Sequence, residues 1–223
     1  MGELEKEQEY LLETIINAEK KNATDTILNW AEKTSFKNAF SELLEPVLSK
    51  LGDLWFRNEL SLAQAFLAGK VAEDIFNIAS KSDELSLDLA NPKGTAVIGN
   101  IEDDFHSFGR KLVVIFLRLD GWKVYDLGND VLPKEFVDKA VQTNARVIGV
   151  SAMIYNTAIS IIGVRKEIDK RNLTGKIQLC VGGAVFNVRT NLVQEVGADG
   201  TADNAIKTPE LFNKLQQKSF KYE

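Results

Sequence analysis

Along the first third of the chain apolar positions recur at helical spacing and nowhere alternate. Leu11, Ile15 and Ala18 fall at i, i+4 and i+7, Ile27 and Ala31 repeat the step, and Phe36, Phe40, Leu43, Leu44, Val47, Leu48 and Leu51 continue the stripe. The spacing predicts helices near 3–20, 23–33, 36–57 and 61–80, with Pro46 a kink or a break inside the third. Four amphipathic helices of this length suggest a bundle. The polar stretch Asp83–Gly94 (DELSLDLANPKG) closes on Asn-Pro and Gly, as a linker does. The domains expected are therefore a helical bundle over 1–88 and a second domain over 89–223.

After the linker the grammar changes. Thr95–Gly99, Lys123–Leu127, Arg146–Ala152 and Lys176–Val181 are short apolar runs that read as buried strands, and Gly200–Asp203 is a weaker fifth. Helical patterns alternate with them: Phe105–Leu119, a helix opened by Pro133 at its favoured first position, Thr157–Lys170, a short one near Asn187–Val196 and a last one from Pro209. Strands alternating with helices predict an α/β domain, a doubly wound parallel sheet of the Rossmann or flavodoxin kind. No internal repeat is visible.

Composition narrows the function classes. Of the 223 residues 44% are hydrophobic and 26% charged, ordinary for a globular protein in water. A net charge of −5 disfavours a nucleic-acid groove, which needs clustered Lys and Arg. No apolar run approaches the roughly 20 residues of a membrane span, so no membrane partner is expected. The acidic start, MGELEKEQEYLLET, lacks the order of a secretory signal, and the single cysteine, Cys180, fits a reducing cytoplasm. There is one histidine, His106. One His and one Cys make a poor zinc site, so a metal bound at His106 takes its other ligands from a cofactor.

Three features land on the carboxyl ends of predicted strands, where ligands of such sheets bind. Asp104-Phe105-His106-Ser107-Phe108-Gly109 follows the first strand, Ser151-Ala152-Met153 ends the third, and Gly182-Gly183 ends the fourth. They are separated by 41 residues (110–150) and 28 residues (154–181). Taken singly each is ordinary: a lone His is usually structural, Gly-Gly is usually a tight turn, and Asp104 suits a helix N-cap. Cys180, inside a buried strand, reads as core.

Together, Asp-x-His-x-x-Gly, a Ser-x-aliphatic pair and Gly-Gly at these intervals resemble the signature of the B12-binding domains. That family includes the cobalamin module of methionine synthase, the mutases, and the corrinoid proteins of methanol and methylamine methyltransferases. Met153 stands where the family has Leu, Asp103 where it commonly has Gly, and Ser107-Phe108-Gly109-Arg110-Lys111 where it commonly reads Asp-Ile-Gly-Lys-Asn. The resemblance implies cobalamin or a related corrinoid bound base-off and His-on: the cofactor's own base leaves the cobalt and His106 takes the lower axial position. Asp104 then accepts the proton on the second ring nitrogen and tunes the imidazole, and Thr157 extends that relay. Gly109, Gly182 and Gly183 let backbone lie against the nucleotide tail, with Ser151 and Met153 beside them.

The segment Leu51-Gly52-Asp53-Leu54-Trp55-Phe56-Arg57-Asn58-Glu59-Leu60-Ser61-Leu62 resembles the turn of the helical cap in methionine synthase and the corrinoid methyl carriers. In that resemblance Trp55 and Leu62 lie over the methyl group on cobalt; alone, Trp55 would read as a core anchor. B12 photoreceptors share the layout but carry Glu-His ten and eleven residues after the Trp, where this chain has Ala65 and Phe66. The function implied is a corrinoid methyl carrier in the cytoplasm that serves partner methyltransferases. Substrate activation would lie on those partners, so no catalytic residue is expected here. A cobalamin sensor or store is the alternative.

Overall fold

The computed structural model describes residues 2–57, 59–79, 92–205 and 207–222. The chain forms two compact units, Met1–Ser86 and Leu87–Glu223. Residues 83–91 of the expected linker, and Asn58 in the expected cap turn, lie outside the described residues.

The first unit is helical: α1 (Glu3–Ile16), α2 (Lys20–Lys33), α3 (Phe36–Asn38), a π-helical turn (Ala39–Leu44), α4 (Glu45–Phe56) and α5 (Leu62–Ala79). The apolar stripe forms its core, with Leu11, Ile15, Ile27, Phe40, Leu43, Leu44 and Val47 almost fully buried. Ala18 departs from the expectation. Helix α1 stops at Ile16, and Ala18 is exposed with φ 62°. The N–H groups of Ala18 and Glu19 return to the Ile15 and Thr14 carbonyls at 3.1 and 2.8 Å, the Schellman closure of a helix end. Gln64 Nε2 satisfies another terminal carbonyl, that of Ile16, at 2.8 Å.

Pro46 neither breaks nor ends the third helix. Its ring removes the N–H that would serve the Glu42 carbonyl in α-geometry. The backbone widens into the π-helical turn just before it, and Gln8 Nε2 of α1 donates to that carbonyl at 2.6 Å. A side chain 34 positions away thus supplies what proline withholds.

The second unit is a five-stranded parallel sheet of order β2-β1-β3-β4-β5. Its strands are β1 (Thr95–Asn100), β2 (Lys123–Asp126), β3 (Val147–Ser151), β4 (Gln178–Gly182) and β5 (Gly200–Thr201). Helices α6 (Ser107–Leu119), α7 (Pro133–Thr143), α8 (Tyr155–Ile159), α9 (Ile161–Lys170), α10 (Ala184–Val188), α11 (Leu192–Glu195) and α12 (Thr208–Ser219) connect and follow the strands. The strands are continuous apolar runs because both sheet faces are covered. One face packs Val97, Ile148, Leu179 and Val181 against Phe136, Ile161, Val164 and Phe186. The other packs Ala96, Ile98, Val147 and Cys180 against Val114, Leu117, Trp122 and Phe212. The helices expected over Thr157–Lys170 and Asn187–Val196 are each two short helices. The doubly wound α/β architecture is otherwise as read from the sequence.

Candidate functional site

In a 2-1-3-4-5 sheet the connections leave in opposite directions from β1 and β3, which opens a crevice at their carboxyl ends. The segment after β1 fills that crevice. Ile101 N–H donates to the Ser151 carbonyl at 3.1 Å, Asp103 N–H to the Asp130 carboxylate at 2.9 Å, and Asp130 N–H to the Asp104 carbonyl at 3.3 Å. Asp103 has φ 62°, which is why glycine suits this position; aspartate is among the few residues that also tolerate it.

These constraints place Asp104 in the interior at 1% exposure. One carboxylate oxygen accepts the His106 N–H at 2.9 Å and Asn100 Nδ2 at 2.8 Å. The other accepts the Met153 N–H at 2.6 Å and lies 3.3 Å from Thr157 Oγ1, whose single proton it shares with the Ile154 carbonyl at 3.1 Å. Burial alone would raise the Asp104 carboxyl, but the Met153 and His106 N–H groups, the Asn100 amide and the imidazole hold it below its ordinary value. A fixed anion therefore ties the loop after β1 to the loop after β3.

His106 stands above it. Its side chain is 61% exposed, and Nδ1 lies 3.5 Å from Asp104 Oδ1. That separation suits an electrostatic pair and exceeds a good hydrogen bond, so the short contact to Asp104 comes from the His106 backbone. His106, not Asp104, occupies the N-cap position of α6, without a side-chain cap. Phe105, Leu132, Ile154 and Val188, on the segments after β1, β2, β3 and β4, are exposed large apolar side chains. All four follow the carboxyl ends of strands, the side of such a sheet at which ligands bind.

Between the sheet and helices α6 and α12 lies a cavity of about 320 Å³. Gly109, Ser151, Cys180, Gly182, Gly183 and Phe212 are among its lining. The two adjacent glycines differ. A Cβ on Gly182 would meet nothing within 4 Å, whereas one on Gly183, which has φ 115°, would strike the Ala152 carbonyl. Gly182 keeps the slot open; Gly183 serves the turn.

Cys180 is 5% exposed, and burial, with the Asp199 charge nearby, pushes its thiol up to about 12. At pH 8 it stays protonated. Native chain should react with iodoacetamide roughly a thousandfold more slowly than a peptide thiol of pKa about 8.5. Urea should restore the peptide rate. A fast native reaction would show this wall of the cavity to be open.

Two residues at the site were not singled out by sequence, Asn100 and Arg110. Asn100 is fully buried at the end of β1, and Arg110 is 4% exposed on α6. Arg110 Nε donates to Asn100 Oδ1 at 2.8 Å, while its guanidinium also pairs with Asp126 and reaches Asn129 Oδ1 at 3.2 Å. The signal was present: Arg110 shares the core-facing spacing of Val113, Val114 and Leu117, where a cation needs partners. The structure thus brings together His106, Asp104, Met153 and Thr157, with Ser151, Gly109, Gly182 and Gly183 at the cavity. Trp55 lies in α4 and Leu62 begins α5, but their side chains fall outside the described ones.

Among the described residues no three His, Cys, Asp or Glu side chains converge, so a metal at His106 would draw its other donors from a bound molecule. No described helix is long and apolar enough to cross a membrane. An exposed imidazole, exposed apolar side chains on the neighbouring loops and a cavity beside the sheet suit a metal-bearing macrocycle with a tail.

Comparisons with known proteins bear on the family and the fold. Residues 94–209 match the B12 binding domain model, and residues 7–79 match a second model also described as B12 binding domain. Trimethylamine corrinoid protein 1 of Methanosarcina mazei is 32% identical over 154 residues, covering 69% of this chain and 68% of that protein. The structure of the Methanosarcina barkeri monomethylamine corrinoid protein superposes with a TM-score of 0.75 at 21% identity, over 95% of this chain and 99% of that one. A chain of the methanol:cobalamin methyltransferase complex of the same organism superposes with a TM-score of 0.53 at 19% identity, over 93% of this chain and 78% of that one. With the motif, the parallel sheet and more than half its length matched, this chain belongs to the B12-binding domain family, and its cofactor is a corrinoid.

Proposed function

We propose that the protein is a corrinoid methyl carrier that binds its cofactor base-off, with His106 as the lower axial ligand of cobalt. The observation that supports this best is an exposed imidazole, anchored through Asp104 at the switch point of the sheet, beside a slot kept open at Gly182. Bound there, the corrinoid supplies a cobalt centre at which a methyl group is taken up and given away. The chain's residues orient it. The Asp104 anion next to Nδ1 favours the proton on that nitrogen and leaves Nε2 free to coordinate. Thr157 and the Met153 N–H hold Asp104 in turn. Ser151, Gly109, Gly182 and Gly183 line the cavity proposed for the tail, and Met153 follows on from Ser151 through Ala152. The roles of Trp55 and Leu62 rest on the resemblance of residues 51–62 alone.

The partners proposed are methyltransferases, one loading and one unloading the carrier, in keeping with the likeness to a chain from a methanol:cobalamin methyltransferase complex. Reconstitution tests both parts of the reading. Cobalamin and tail-less cobinamide should give the same visible spectrum when bound, since the protein imidazole is the lower ligand of each. Protein loaded with methylcobalamin should then pass its methyl group to an acceptor thiol when a partner methyltransferase is added. Tight binding without transfer by any partner would leave a sensor or store.

A further inference from the structure

Beneath the His106 loop, two buried polar side chains form a chain of contacts that the motif does not contain. A guanidinium can only donate hydrogen bonds, so the Asn100 oxygen must face Arg110 Nε, 2.8 Å away. The Asn100 amide nitrogen therefore points the other way, and both its hydrogens are engaged: on Asp104 Oδ1 at 2.8 Å and on the His106 carbonyl at 3.1 Å. Arg110 is itself held from outside by Asp126 and by Asn129 Oδ1. Asp126 in turn accepts the Gly128 N–H at 3.0 Å, so the outer anchor is fixed by backbone. The contacts run unbroken from the β2 end, through α6 and the last residue of β1, to the residue carrying the imidazole. Were the amide reversed, its oxygen would face the Asp104 carboxylate and the His106 carbonyl and its NH2 group would face the Arg110 Nε–H, so all three contacts would be lost.

We propose that Arg110 is a positioning residue for the His106 loop: by fixing the orientation of the Asn100 amide it sets where the imidazole stands, and so how completely the imidazole occupies the lower axial site of cobalt. This rests on His106 being the axial ligand. Charge alone is not what Arg110 supplies. A lysine would keep a cation there, yet a single ammonium cannot serve Asn100 and Asp126 together as the planar fork does.

The test compares wild type with Arg110→Lys, Asn100→Leu and the double variant, both without cofactor and loaded with cobalamin. In the cofactor-free protein, hydrogen exchange at the His106 N–H should become about tenfold faster in Arg110→Lys, equivalent to about 1.4 kcal/mol. Asn100→Leu should do the same, and the double variant should be no faster than the faster single, because both break one chain of contacts. In cobalt(II) protein carrying ¹⁵N-histidine, the histidine-split fraction of the paramagnetic spectrum should fall from nearly all to a minority in each variant. If both singles prove too unstable, Asp126→Asn, which loosens the outer anchor at an accessible side chain, should shift both readings less but in the same direction. Wild-type exchange and splitting in Arg110→Lys, or strictly additive effects, would overturn the proposal. Absence of histidine splitting in wild type would sink the His106 reading instead, and exchange in the cofactor-free protein would still decide the role of Arg110.

Discussion

His106→Ala should leave the protein folded and abolish coordination of cobalt by a protein nitrogen. The imidazole is mostly exposed, and its Nδ1 is 3.5 Å from Asp104, so the ring contributes little to the fold. What holds residue 106 in place is its backbone N–H on Asp104, which alanine retains. Unfolding stability should therefore change by less than about 1 kcal/mol, as for an exposed position. Binding should change far more. Affinity for tail-less cobinamide, which lacks the tail contacts, should fall at least about a hundredfold. The cobalt(II) form of the wild type should show nitrogen splitting that changes with ¹⁵N-histidine, and the variant should not. Splitting indifferent to the label would assign the nitrogen to the cofactor's own base.

Gly183→Val and Gly182→Val should fail in opposite ways, although the two positions are adjacent. At Gly183 the backbone has φ 115°, and a Cβ would run into the Ala152 carbonyl, a rigid neighbour. The strain and the clash should together cost at least about 3 kcal/mol, enough to lower Tm by many degrees and to weaken every corrinoid alike. At Gly182 a side chain has open space around it, and that space is the cavity. Gly182→Val should unfold within about 1 kcal/mol of wild type. It should bind cobalamin about a hundredfold more weakly while binding cobinamide within roughly threefold of normal. Equal weakening of both ligands by Gly182→Val would show that the cavity is not the tail's path.

Periodicity made the sheet and most helices legible because β1, β3 and β4 are continuous apolar runs bounded by turn residues, and the helices show one buried stripe each. It did not show where helices stop. The break at Ala18 is a Schellman closure in a stretch of good helix formers, with no glycine to announce it. The passage through Pro46 depends on Gln8, a partner that no local window around the proline contains. The motif pointed to the crevice at the carboxyl ends of β1 and β3 because its three parts lie at strand ends, which the sheet necessarily brings together. Asn100 and Arg110 escaped notice for a different reason. Taken alone, one is an amide just past an expected strand and the other a cation near a helix start, whereas their meaning lies in the contact between them. Arg110 on the apolar face of α6 was the clue, since a buried guanidinium requires acceptors that the sequence does not identify.

The cavity draws its walls from distant parts of the chain, which orders events during synthesis. Everything that fixes His106, from Asn100 through Asp130 to Met153 and Thr157, has been translated by residue 157. The walls from β4 and α12, with Cys180, Gly182 and Phe212, come later. A nascent chain therefore possesses the loop that fixes His106 well before the far walls of the cavity exist. Closure of the cavity has to wait for α12, the last of its walls to be translated.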